Sequence, residues 1–117
     1  LVVVVGDDAS IREIKGKGRP VVNQHARLKI VDSIKPVDYC FVGSRPAVHP
    51  LSFMESVFLE LKPDKYVINN DAFDIPKREK LAKDYGMELV ILKRKCPKSF
   101  GGVSTTKIIE KILKLDI

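Results

Sequence analysis

The first five residues, Leu1-Val2-Val3-Val4-Val5, are an unbroken apolar and mostly β-branched run that ends in Gly6-Asp7-Asp8. β-Branching stiffens the side chain and favours extended backbone, and a strand apolar on both sides has to be covered on both faces. Parallel sheets provide that setting, so the run predicts a strand in the interior of an α/β sheet. The rest of the chain keeps a β-α rhythm. Ala9 to Ile14 predicts a short helix, and Lys15-Gly16-Lys17-Gly18-Arg19-Pro20 a basic loop that glycine and proline keep from being helical. A second helix follows the cap Asn23, carries Arg27, Ile30, Val31 and Ile34 at helical spacing, and ends near Pro36. Tyr39 to Val42 reads as a strand, Leu51 to Leu61 as a helix stopped by Pro63, and Tyr66 to Ile68 as a strand. Lys77 to Tyr85 reads as a helix with Gly86 at its C-cap, and Glu88 to Leu92 as the last strand. After the basic loop Lys93 to Lys98, a closing helix runs through Leu113 with Ile108, Ile109, Ile112 and Leu113 as its apolar stripe.

Alternating elements of this kind argue for a doubly wound parallel sheet with helices on both faces. With 117 residues, the expectation is one domain over 1–117. A composition of 44% hydrophobic and 31% charged residues is globular, and Leu1–Val5 is too short for a membrane span or an ordinary signal sequence. A cytoplasmic protein without a membrane partner is expected. Cys40 and Cys96 lack metal-ligand spacing and read as two reduced thiols. The net charge of +6 favours an anionic partner. Both basic loops follow strands, directly or by a short helix, so they can converge on one crevice beyond the carboxyl ends of the sheet.

The segment Pro97 to Ile109 points to what such a crevice would hold. Gly101-Gly102 and the hydroxyls of Ser104, Thr105 and Thr106 stand at a helix start, where unpaired N–H groups and the positive end of the helix dipole suit a phosphate. Lys107 occupies a first turn that stability alone would make acidic. The plain alternative is a serine cap with a solvated lysine. Comparable alternatives hold elsewhere: a solvated turn for Lys15, Lys17 and Arg19, a side chain lying along its helix for Arg27, a helix cap for Asp7 or Asp8, and a turn residue for Asp71. His25 reads as a surface residue at a helix start and His49 as a loop residue. The stripe Phe53, Met54, Val57, Phe58 and Leu61 reads as core or a dimer face. A phospho-receiver domain is disfavoured because the second strand ends in Gly43, where an acceptor aspartate should stand. A nucleic-acid-binding module is disfavoured because Phe100 alone supplies an aromatic ring among the basic loops.

Taken in order, these segments resemble the cytidylyltransferase-like nucleotidyltransferases. The match is carried by Asp7-Asp8-Ala9-Ser10 with Lys15-Gly16-Lys17-Gly18-Arg19-Pro20, by Arg27 at the next helix, by Asn69-Asn70-Asp71, and by Val103-Ser104-Thr105-Thr106-Lys107-Ile108, which is similar to an Ile-Ser-Thr-Thr-x-Ile signature. It spans nearly the whole chain and comes nearest to the sugar-phosphate adenylyltransferase and glycerol-3-phosphate cytidylyltransferase branches. The resemblance implies a Rossmann-like fold and transfer of a nucleotidyl group from ATP or CTP to a phosphorylated sugar or polyol, with release of pyrophosphate. It implies Lys15 and Arg27 as catalytic residues. Asp8, Asp71, Ser104, Thr105, Thr106, Arg94 and Lys98 would bind nucleotide and phosphate, with Mg²⁺ bridging phosphate oxygens. Relatives often pair as homodimers, for which the apolar helix from Leu51 offers a face. Two features depart from the pattern. The Gly-x-Phe-Asp and His-x-Gly-His motifs of the family's first strand and helix, whose histidines serve as transition-state donors, have no counterpart, so the first βα unit is expected to be missing. The loop before Val103 is longer than usual, and asparagines stand at Asn69-Asn70 in place of glycine. A non-catalytic nucleotide-binding relative of the same fold is the alternative reading.

Overall fold

A computed structural model describes residues 1–43 and 51–115. The elements are β1 (Val2–Gly6), α1 (Asp8–Lys15), α2 (Gln24–Asp32), β2 (Tyr39–Gly43), α3 (Phe53–Leu61), β3 (Lys65–Asn69), α4 (Ile75–Asp84), β4 (Glu88–Leu92) and α5 (Thr105–Leu113), with a single 3₁₀ turn at Lys98–Phe100. His49 lies outside the described residues.

Local capping explains most boundaries. The Asp7 carboxylate accepts the Ser10 N–H at 2.7 Å and Asn23 Oδ1 accepts the Ala26 N–H at 3.0 Å, so α1 and α2 start where their caps stand. The expected start of α4 at Lys77 is two residues late. Asp74 Oδ1 caps the Lys77 N–H at 3.1 Å, and Pro76 sits in the first turn, where its missing N–H costs nothing. Gly86, at φ 67°, follows that helix as expected. The end of α3 is different: Lys62 takes the left-handed conformation there, at φ 45°.

All pairing is parallel. β1 lies beside β2 with Val3 opposite Cys40 and Val5 opposite Val42, and β3 lies beside β4 with Tyr66 opposite Leu89 and Ile68 opposite Ile91. Among the described residues these are two separate two-stranded ladders, so the doubly wound sheet is present as two halves. β1 and β3 each have one hydrogen-bonded neighbour, whereas an interior parallel strand needs two.

The core gathers around α3, β3 and α4. Leu51, Phe53, Met54, Phe58, Tyr66, Ile68, Leu81, Ala82 and Met87 form one buried cluster, against which Val4 of β1 packs. The α3 stripe is therefore core at Phe53, Met54 and Phe58, while Leu61 stays exposed. Other apolar stripes do not find a partner in the same way. Ile30 and Ile34, expected on the inner side of the second helix, are exposed. Ile108, Ile112 and Leu113 of α5 are 48%, 53% and 79% exposed, and Val67 on the outer face of β3 is half exposed. The radius of gyration agrees, at 15.8 Å, against about 13 Å for a compact chain of this length. Among the described residues no helix is long and apolar enough to cross a membrane.

Gly43 closes β2 at the tightest point of the interior. A Cβ built there would lie 2.3 Å from a ring carbon of Phe53, itself buried. Gly43→Ala is expected to destabilise the protein by about 1–3 kcal/mol through overpacking, read as a lower denaturant midpoint at an unchanged m-value.

Candidate nucleotide site

The carboxyl ends of β1, β3 and β4 all lead into polar segments. β1 is followed by Asp7, the cap of α1, and by Asp8 on its first turn. The Asp8 carboxylate accepts from Arg27 Nη2 at 2.7 Å, and Arg27 Nε donates to the Val22 carbonyl at 2.9 Å. Gln24 Oε1 accepts the Asp8 N–H at 3.0 Å. Arg27 thus ties α1 to α2 from a largely buried position, its fork already facing one carboxylate and one carbonyl. This accounts for its place near the apolar side of its helix.

A second cluster forms where the two basic loops meet. α1 ends in Lys15, and Gly16 and Gly18 then turn the loop at φ 91° and 87°, values costly for any residue with a Cβ. Arg19 Nη2 donates to Thr106 Oγ1 at 3.1 Å, joining residues 87 apart in sequence. From the other side, Asp71 follows β3 and accepts from Arg94 Nη1 at 2.9 Å, while the Arg94 N–H donates to Asn70 Oδ1 at 3.2 Å. The Asn70 N–H in turn donates to the Leu92 carbonyl at 2.9 Å, which holds the Asn69-Asn70-Asp71 turn against the end of β4. The hydrogen bond from Arg94 lowers the Asp71 carboxyl below its ordinary value, and Lys15 is close enough to add to that lowering.

The α5 start completes the cluster. Ser104 Oγ accepts the Lys107 N–H at 3.2 Å, so the serine is the helix cap. Thr105 and Thr106 stand exposed on the first turn. The Lys107 ammonium folds back over the glycine loop, 3.1 Å from where a Cβ on Gly102 would lie. Gly101 and Gly102 adopt φ 68° and 66°, conformations that require glycine.

Of the residues singled out in the sequence, Lys15 and Arg94 therefore both act on Asp71, and Ser104, Thr105 and Thr106 stand at the α5 start that Arg19 reaches. Asp8 and Arg27 form a neighbouring pair at the other end of α1. Lys98 lies in the exposed 3₁₀ turn, and no hydrogen bond or ion pair among the described residues ties its side chain to the others. Sequence reasoning takes Lys15 from the basic loop and leaves Arg19 unassigned beside Lys17. Only the closure of the loop on Thr106 distinguishes it. Among the described residues there is no group of three or more His, Cys, Asp or Glu side chains able to hold a metal ion. A separate cavity of about 350 Å³ between β2 and α3 is lined by Phe41, Val42, Phe53 and Val57 and has no cation in its lining.

Parallel strands joined through helices, with basic and hydroxyl-bearing loops at the strand ends, define a Rossmann-like α/β domain. No protein-family profile matches the chain. It is, however, 33% identical over 118 residues to the FAD synthase of Korarchaeum cryptofilum, covering 98% of this chain and 71% of that one. It is 31% identical over 116 residues to the FAD synthase of Methanothermus fervidus, covering 98% and 74%. The bifunctional protein HldE of Alcanivorax borkumensis is 32% identical over 117 residues, covering 99% of this chain, which spans 22% of that longer protein. In fold, the chain is similar to the lipopolysaccharide core biosynthesis protein of Thermoplasma volcanium, with a TM-score of 0.60 and 24% identity over 83% of this chain and 74% of that one. The chain belongs to the cytidylyltransferase-like nucleotidyltransferases.

Proposed function

We propose that this protein transfers a nucleotidyl group from a nucleoside triphosphate to a phosphorylated small molecule and releases pyrophosphate. The observation that carries the reading is the closure of the first basic loop on the α5 start, through Arg19 on Thr106, together with the hydrogen bond that Asp71 accepts from Arg94 of the second basic loop. In-line attack of one phosphate on another requires two anions to be held together and the charge of the leaving pyrophosphate to be stabilised, tasks for cations and oriented N–H groups. Lys15 supplies the cation at the reacting α-phosphate. The first turn of α5, with Thr105 and Thr106, receives the β- and γ-phosphates by its N–H groups and hydroxyls. Asp71, held by Arg94, faces the base or ribose. Arg94 contributes its remaining donors to the same pocket, and Lys98 the charge of its exposed ammonium.

Arg27 acts by holding Asp8 and the start of α2, and turns its second amino group to phosphate when nucleotide enters. Mg²⁺ entering with the triphosphate would neutralise part of its charge.

The catalytic form is read as including a further strand and helix. The two separate ladders, the exposed stripe of α5 and the large radius of gyration are all what removal of one central βα unit would produce. A strand parallel to β1 and β3 would satisfy both open edges. ATP is the preferred donor and a sugar or polyol phosphate the preferred acceptor. Support comes from relatives named FAD synthase and HldE, because FAD joins an adenylyl group to the phosphate of a ribityl chain.

Pyrophosphate release tests the reading, with ATP or CTP, Mg²⁺, and a panel of sugar phosphates, polyol phosphates and flavin mononucleotide. Turnover with one pair identifies donor and acceptor. Nucleotide binding without turnover, in a protein whose intact mass is 13.1 kDa, would replace the enzyme by a binding domain of the same fold.

A further inference from the structure

We infer that Arg19 is itself a phosphate-binding residue of this crevice, placed to grip the terminal phosphates of the nucleotide and the pyrophosphate that leaves. The inference rests on the nucleotidyltransferase reading above. Three other arginines in the described residues have their guanidinium groups matched: Arg27 by Asp8 and the Val22 carbonyl, Arg94 by Asp71, and Arg78 by the Tyr66 hydroxyl and the Phe73 carbonyl. Arg12 is exposed to water. Arg19 fits neither case. It is half-buried, its side chain makes one hydrogen bond, and that bond goes to the neutral hydroxyl of Thr106. Among the described residues no carboxylate pairs with it.

A guanidinium has five donors, of which Thr106 takes one in an exposed contact, so the others stand open to a ligand arriving from solvent. The surroundings raise the demand further. Lys107 brings a second cation to the same helical turn, its ammonium over Gly102 and without a carboxylate partner among the described residues, and the α5 start adds its own partial positive charge. Like charges gathered so closely repel until an anion joins them. A phosphoryl group has the charge and the oxygen geometry for a guanidinium fork, which a lysine at the same place could not offer. Thr106 holds the fork in position, while Gly18, at φ 87°, sets the turn that delivers it. During transfer the negative charge on the leaving pyrophosphate increases, so this contact strengthens towards the transition state.

Isothermal calorimetry with inorganic pyrophosphate and with ATP, on the full chain and three variants, tests the inference. Arg19→Ala is expected to weaken pyrophosphate binding by about 10- to 100-fold, the loss of one or two charge-assisted hydrogen bonds. Thr106→Val, which removes the holding contact together with one neutral hydroxyl of the α5 first turn while leaving the guanidinium in place, is expected to weaken it by no more than about 5-fold. Arg19→Lys should keep the salt dependence but recover only part of the affinity. If the wild type binds pyrophosphate and Arg19→Ala loses no more than Thr106→Val, Arg19 is a strut between loops and the inference is overturned. Should Arg19→Ala fail to fold, Arg19→Lys decides: binding equal to the wild type overturns the inference, and a clear loss with an unchanged melting temperature supports it. A wild type that binds neither ligand overturns the nucleotide reading of the crevice as a whole.

Discussion

Lys15→Met is expected to lower the turnover number for nucleotidyl transfer by about 10²- to 10³-fold, the usual consequence of removing one preorganised donor from a developing negative charge. The melting temperature should stay within about 3 °C, because Lys15 is exposed and carries no packing. The substitution keeps the stem and removes the ammonium, so a loss confined to turnover isolates the charge. A second readout comes from Asp71. Its carboxyl is lowered first by the Arg94 hydrogen bond and further by the charges of Arg94 and Lys15. The native value lies below the unfolded one, so the associated stabilisation is present above the unfolded carboxylate range and is lost as pH falls through the lowered native value. In Lys15→Met the Asp71 titration, followed by carboxyl-carbon NMR, should move upward. A titration that does not move would place the ammonium away from the crevice, and unchanged turnover would remove Lys15 from the chemistry.

The largest loss of stability is expected from Phe58→Ala, at about 3–5 kcal/mol. Phe58 is 4% exposed in the centre of the core. Its ring meets Tyr66 edge-on at a centroid distance of 4.9 Å and Tyr85 at 5.9 Å, so truncation empties a site walled by two aromatics on other elements. Tyr66 is in turn hydrogen-bonded through its hydroxyl to Arg78 of α4, which limits how far it can relax into the space. Domains of this size have a total stability of about 5–15 kcal/mol, so this one change could remove a large share of it. Urea unfolding measures the loss. A value under about 1 kcal/mol would mean that the α3–β3–α4 cluster is not the centre of stability.

The order and type of the elements were legible because their causes are local. Val2 to Val5 are β-branched, Asn23 and Asp7 are good caps, Gly86 permits the left-handed turn after α4, and the α3 stripe repeats at helical spacing. Each of those signals acts within a few residues of itself, and the boundaries were missed only where a cap stood further upstream, as Asp74 does for α4. The family signature around Ser104 was legible for the same reason: a helix start with hydroxyls and glycines is a local device.

Pairing across the chain was not legible. Asp8 and Arg27 are 19 residues apart, Asp71 and Arg94 are 23 apart, and Arg19 and Thr106 are 87 apart, and no local pattern says which cation meets which carboxylate or hydroxyl. Apolar periodicity likewise marked the stripe on α5 without saying whether anything covers it, and it marked four strands without saying that they pair as two ladders. The sequence by itself determined the strands, the helices, their caps and the kind of loop at each strand end, because short-range backbone preference and side-chain periodicity act before the chain closes. Long-range folding set the contact of Arg19 with Thr106, the hold of Asp8 on Arg27 and, among the described residues, the single paired edge of β1 and of β3, because those outcomes depend on how distant segments compete for the same partners once the core has formed.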